Sequence, residues 1–167
     1  ELSFLASKKE KASTLPPEWY QEIDGKRILR LLLCVGLNGT GKTKMIEALQ
    51  YLRMLAVYKP EKPTDRPAFR PFLLDEQSRY EPSELSLTYY INNTCHYYYI
   101  KVSEKRIEEE ILKQISPNIL LYHRFYNSET DTVSIKFGSD SDISKSTQQA
   151  LKLTVIQNSS VLSVFGS

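Results

Sequence analysis

The stretch Arg27 to Leu52, RILRLLLCVGLNGTGKTKMIEALQYL, constrains the fold more than any other part of the chain. Ile28 to Val35 is an unbroken apolar run with charge before it and glycine after it, as expected of a strand buried on both faces of a mostly parallel sheet. From Lys42 to Tyr58 the period changes: Met45, Leu49, Leu52 and Ala56 share one helical face, while Lys44, Glu47 and Gln50 fall away from it. Pro60, Pro63 and Pro67 end that helix and extend the chain. A buried strand, a glycine turn and an amphipathic helix in this order predict an α/β core.

Between strand and helix, Gly36-Leu37-Asn38-Gly39-Thr40-Gly41-Lys42-Thr43 matches the Walker A pattern of glycine, four residues, then Gly-Lys-Thr. Glycines let the backbone curl so that successive N–H groups point at phosphate oxygens, and the following helix offers its positive end to the same anion. Lys42 is placed to reach the β- and γ-phosphates and is the one catalytic candidate. Thr43 is placed to give its hydroxyl to Mg²⁺. The bland alternative is a glycine turn without a ligand. The flanking strand and helix signals favour nucleotide binding, with Gly36, Asn38, Gly39, Thr40, Gly41, Lys42 and Thr43 as the contact set.

Leu2, Phe4 and Ala6 form a short stretch that reads as a strand or its remnant, and Lys8 to Pro17 reads as a loop. The middle of the chain predicts antiparallel strands. Leu85, Leu87, Tyr89 and Ile91 alternate with Ser86, Thr88 and Tyr90; Asn92-Asn93 supplies a tight turn, and Cys95 to Val102 follows, rich in tyrosine and branched residues. Ile107, Ile111 and Ile115 fit a helix face or a strand, with a strand favoured. Asn118 to Tyr126 and Thr132 to Phe137 read as two more strands, Gly138 to Thr147 as a polar link, and Gln148 to Ile156 as a helix.

Hydrolysis needs an acidic residue at a second strand end and a group that orients water. Phe72-Leu73-Leu74-Asp75-Glu76 is a candidate for that strand end, at a distance from Lys42 that suits a small GTPase or nucleotide kinase, although its apolar run is short and proline-flanked. No guanine-reading Asn-Lys-x-Asp stretch occurs. Trp19 and Tyr20 are candidates to stack on adenine, against the ordinary role of filling a core or its rim. His96 and His123 have no partner at ligand spacing and read as strand residues. Tyr89, Tyr90, Tyr97, Tyr98 and Tyr99 resemble a nucleic-acid stacking platform in number, but cross-strand packing explains them without interleaved arginines. Glu108-Glu109-Glu110 reads as a solvated edge.

Composition sets the outer limits. The chain has 167 residues, 25% of them charged and 41% hydrophobic, as in an ordinary globular protein of one domain. A formal net charge of +2 gives no large field, so charge alone supports neither nucleic acid nor membrane as a partner. Cys34 and Cys95 lie far apart, which fits a reducing, cytoplasmic setting with Cys34 as a small buried hydrophobe. The apolar runs are too short to span a bilayer and no secretory signal opens the chain. The sequence does not begin with methionine and is expected to start inside a longer chain. Three Asn-x-Ser/Thr matches, at Asn38, Asn92 and Asn158, are expected to be accidental.

The Walker A loop, the helix segment Met45 to Arg53, and Pro71-Phe72-Leu73-Leu74-Asp75-Glu76 followed by Glu81-Pro82-Ser83-Glu84-Leu85 together resemble bacterial AAA-family ATPases with an ABC-type head. These are relatives of the OLD, RecF and SMC proteins, many associated with phage defence or abortive infection. The resemblance implies an α/β P-loop NTPase fold: a nucleotide-binding core over residues 1–58, an antiparallel β-subdomain over 59–137, and a linker with a helical segment over 138–167. It implies ATP and Mg²⁺ as cofactors, dimerisation through the head, and an effector protein or nucleic acid as a further partner. It also moves Asp75 into the β-region, away from the metal. No Ser-Gly-Gly signature or late Asp-Glu strand end is present, and Gln157 matches the glutamine-bearing loop by residue type only. These residues alone are therefore expected to hold Mg·ATP without hydrolysing it efficiently. The alternatives are a small P-loop kinase or GTPase that uses Asp75, and a nucleotide-responsive interaction module without turnover.

Overall fold

The computed structural model describes residues 2–6, 15–62, 64–67 and 80–166. They form two compact units, Glu1–Lys44 and Met45–Ser167.

In the first unit, β1 (Tyr20–Ile23) and β2 (Lys26–Leu29) make an antiparallel hairpin. Asp24 and Gly25 turn it with φ of 53° and 66°, the two left-handed positions of a tight hairpin that Asp-Gly accepts readily. The far edge of β2 is met by the N-terminal stretch, where Leu29 N donates to Phe4 O at 2.7 Å and Ala6 N donates to Arg27 O at 3.0 Å.

The buried parallel strand expected from Ile28 to Val35 is not formed. Both sheets are antiparallel, and no parallel pair occurs among the described residues. The α/β P-loop NTPase fold with a parallel sheet is thereby overturned. The ladder ends at Leu29, opposite Tyr20 where β1 begins, and the last backbone bond runs from Arg30 N to Trp19 O at 2.9 Å. Leu31, Leu33 and Val35 are 78%, 81% and 85% exposed, and Cys34 is exposed rather than buried. An apolar run becomes a strand only where a neighbour supplies its ladder, and the connections here favour hairpins over the crossover that parallel strands need.

In the second unit, β3 (Ser83–Ile91), β4 (Thr94–Val102), β5 (Ile107–Gln114), β6 (Ile119–Asn127) and β7 (Thr132–Phe137) form a five-stranded meander in sequence order. The strands lie where alternation placed them, and Asn92 and Asn93 turn the first hairpin at φ 48° and 64°. One face carries Leu85 and Leu87, then Tyr98, Ile100 and Val102, then Ile107, Leu112, Tyr122 and Ile135. Leu52 and Leu55 of α1 (Lys42–Val57), Leu151 of α2 (Lys145–Thr154), and Val161 and Val164 of α3 (Val161–Phe165) pack on that face. Each buried leucine contributes about 1.5–3 kcal/mol by leaving water.

Two register shifts break the alternation, one between Lys101 and Val102 and one between Leu112 and Lys113. The first puts both Ile107 and Glu110 on the core face, so Glu110 is buried and not part of a solvated edge. It also leaves Ile111 opposite Tyr99 on the other face.

Candidate functional site

After β2 the chain runs extended from Leu31 to Leu37, turns through Asn38 to Gly41, and enters α1 at Lys42. Gly39 and Gly41 stand at φ +84° and +89°, where a Cβ would be strained. Thr40 closes the turn, its backbone N–H reaching Leu37 O at 3.4 Å and its hydroxyl donating to the same oxygen at 2.8 Å. Lys42 folds back across this turn. Its Nζ donates to Gly36 O at 2.7 Å and to Leu37 O at 2.6 Å, and lies 3.3 Å from Thr40 Oγ1. A Cβ at Gly36 would come within 3.1 Å of Thr40 Oγ1, so the first glycine leaves room for this closure.

The chemistry of the arrangement is cationic. Two carbonyls and the Thr40 hydroxyl oxygen take the three N–H groups of Lys42 and fix its ammonium at the mouth of the loop, so an outside acceptor binds by displacing one of them. No acidic residue stands in the first turn of α1 to neutralise its positive end. Thr43 is exposed in that turn, and Asn38 is exposed at the tip of the loop.

The other candidates scatter. Trp19 is exposed in a short 3-10 helix, Pro17–Trp19, while the ring of Tyr20 is covered by Arg27, whose guanidinium lies 4.9 Å from its centroid. Phe72 to Glu76, with Asp75, lies outside the described residues. His96 stacks on Tyr89 at 5.5 Å, and His123 Nε2 lies 2.8 Å from Glu109 Oε1; both are strand residues. Among the described residues no three His, Cys, Asp or Glu side chains gather as metal ligands. Gln157 has its carbonyl fixed inside the second unit, where it accepts from Ile107 N at 3.0 Å and from Arg124 at 2.8 Å.

Sequence reasoning missed a buried polar cluster around Glu110. Tyr98 and Tyr122 donate their hydroxyls to Glu110 Oε1 at 3.1 and 2.8 Å, and Val161 N donates to Oε2 at 2.8 Å. Arg124 donates to the carbonyls of Ile107, Ile156 and Gln157. Burial pushes the Glu110 carboxyl above its ordinary pKa, with its hydrogen bonds and Arg124 pulling back, and lowers Arg124 to about 10. The cluster is enclosed and ties β5 and β6 to the segment that leads into α3. It is architecture rather than a site.

No family model matches this chain, and comparison with curated proteins and solved structures found no match either. The functional reading therefore rests on the residues themselves. No helix among the described residues is long and apolar enough to cross a membrane.

Proposed function

We propose that this chain binds Mg·ATP through Gly36 to Thr43. One observation carries the reading: a glycine loop with two left-handed turns, directly before a helix, holds the Lys42 ammonium on the carbonyls of Gly36 and Leu37. In this reading the N–H groups from Asn38 to Thr43 bind phosphate oxygens, Lys42 neutralises the β- and γ-phosphates, and Thr43 holds the metal. Held by Thr43, Mg²⁺ would supply screening of the phosphate charge.

Binding, not turnover, is the activity assigned to these residues. The resemblance to ABC-type heads supports a wider setting: an ATPase of the cytoplasm that works as a dimer, with an effector or a nucleic-acid transaction in defence downstream. That setting rests on the resemblance alone.

A calorimetric titration with Mg²⁺ and a non-hydrolysable ATP analogue, repeated with Lys42→Ala and with a GTP analogue, tests the proposal. Saturable ATP binding that Lys42→Ala removes is expected. Heat that is equal in wild type and variant, or none in either, overturns it.

A further inference from the structure

The face of the five-stranded sheet turned away from α1, α2 and α3 has an order that the sequence alone does not reveal. Strand register lays its residues out in transverse rows. One row runs Ser86, Tyr99, Ile111, His123, Lys136, and the next on one side runs Thr88, Tyr97, Lys113, Leu120. On the other side lie Glu84, Lys101, Glu109, Phe125 and Ser134. Tyr97, Tyr99, His123 and Phe125 are all half-buried, and none belongs to the core packed against the helices.

The lysines lie among these rings. Lys113 Nζ is 5.1 Å from the centroid of Tyr97, and Lys136 Nζ is 5.2 Å from that of Phe125. An ammonium at this distance is attracted by the π face of the ring, and both rings are only half-buried. Of the two carboxylates of the patch, Glu84 is offset by Lys101 at 2.9 Å, and Glu109 Oε1 lies at hydrogen-bond distance, 2.8 Å, from His123 Nε2. The two lysines that lie over rings are not next to them in the linear sequence: Tyr97 is on β4 and Phe125 on β6, while Lys113 is on β5 and Lys136 on β7.

We propose that this sheet face binds single-stranded nucleic acid. Bases stack on Tyr97, Tyr99 and Phe125, and Lys113 and Lys136 move from the rings to the phosphates. Tyr97 and Tyr99 sit two residues apart on one strand, roughly 7 Å, which an extended strand of nucleotides can follow base by base. A duplex keeps its bases stacked inside and offers no rings to this face, so it competes poorly.

The test is fluorescence anisotropy with the full chain and labelled 12-nucleotide oligothymidylate and oligouridylate at low salt. Saturable binding is expected, about tenfold weaker in Tyr97→Ala or Phe125→Ala, with a log–log salt slope near −1.4 for two phosphate contacts. Lys113→Gln, conservative enough to keep the sheet, is expected to flatten that slope. Lys42→Ala is expected to leave binding unchanged, which separates this face from the nucleotide loop. Absence of binding, binding insensitive to all three sheet variants, or equal binding to duplex overturns the proposal.

Discussion

Glu110 and Arg124 face each other across β5 and β6, and neither side chain reaches solvent. Two ionisable side chains enclosed beneath a small sheet need partners at their polar edges. Most of theirs come from the chain between Gln157 and Val161 and from two tyrosines, while Arg124 Nε is buried without a hydrogen-bond partner among the described residues.

The Glu110 carboxyl makes stability depend on pH. Its folded pKa lies above the ordinary 4.5, so the folded state binds this proton more tightly than the unfolded state. Its contribution is full below 4.5 and is lost as pH rises through the raised value. Urea midpoints across pH 4 to 8 are expected to fall less steeply in Glu110→Gln than in wild type. Parallel profiles would remove Glu110 as the source.

Arg124→Ala is expected to be severe. It removes one donor from each of the carbonyls of Ile107, Ile156 and Gln157 and leaves Glu110 buried without a facing charge, a change that costs about 3–5 kcal/mol. Equilibrium urea denaturation reads this directly, and a loss below about 1 kcal/mol would show that water replaces the guanidinium.

Gly138 is demanded by close approach. A Cβ there would sit 2.0 Å from Leu120 O, against backbone that cannot swing aside. Gly138→Ala is expected to cost about 1–3 kcal/mol through overpacking. A thermal midpoint equal to wild type would contradict this close approach of Gly138 to Leu120 O.

Tyr51 points the other way. Its hydroxyl is buried with no hydrogen-bond partner among the described residues, and burial pushes its pKa up to about 12. Tyr51→Phe removes an unpaired polar group from the core of α1. It is expected to be neutral or to stabilise by about 1 kcal/mol, read from the same urea curves.

Much of the second unit was legible in the sequence, because alternation over Leu85 to Ile91 and the Asn92-Asn93 turn are local signals. The faces were less so. A period of four at Ile107, Ile111 and Ile115 suggested one side, yet the shift at Lys101 and Val102 separates Ile107 from Ile111. That shift also hid Glu110 within three successive glutamates. In the first unit the Asp24-Gly25 turn went unread, because the longer apolar run after it invited a single buried strand to Val35. Alternation reads local periodicity; it does not read what stands beside a strand. The loop from Gly36 to Thr43 was legible as a motif, while the fold of Lys42 onto Gly36 O and Leu37 O needed coordinates.

Backbone amide hydrogen exchange over Asn38 to Thr43, with and without a saturating Mg²⁺ complex of a non-hydrolysable ATP analogue, tests the central claim most directly. The residues from Asn38 to Gly41 are exposed, so fast amide exchange is expected in the free protein except at Thr40, whose N–H reaches Leu37 O. If they cradle phosphate, nucleotide slows exchange across this segment and Lys42→Ala abolishes the slowing. Unchanged exchange at these amides under saturating nucleotide would contradict the account.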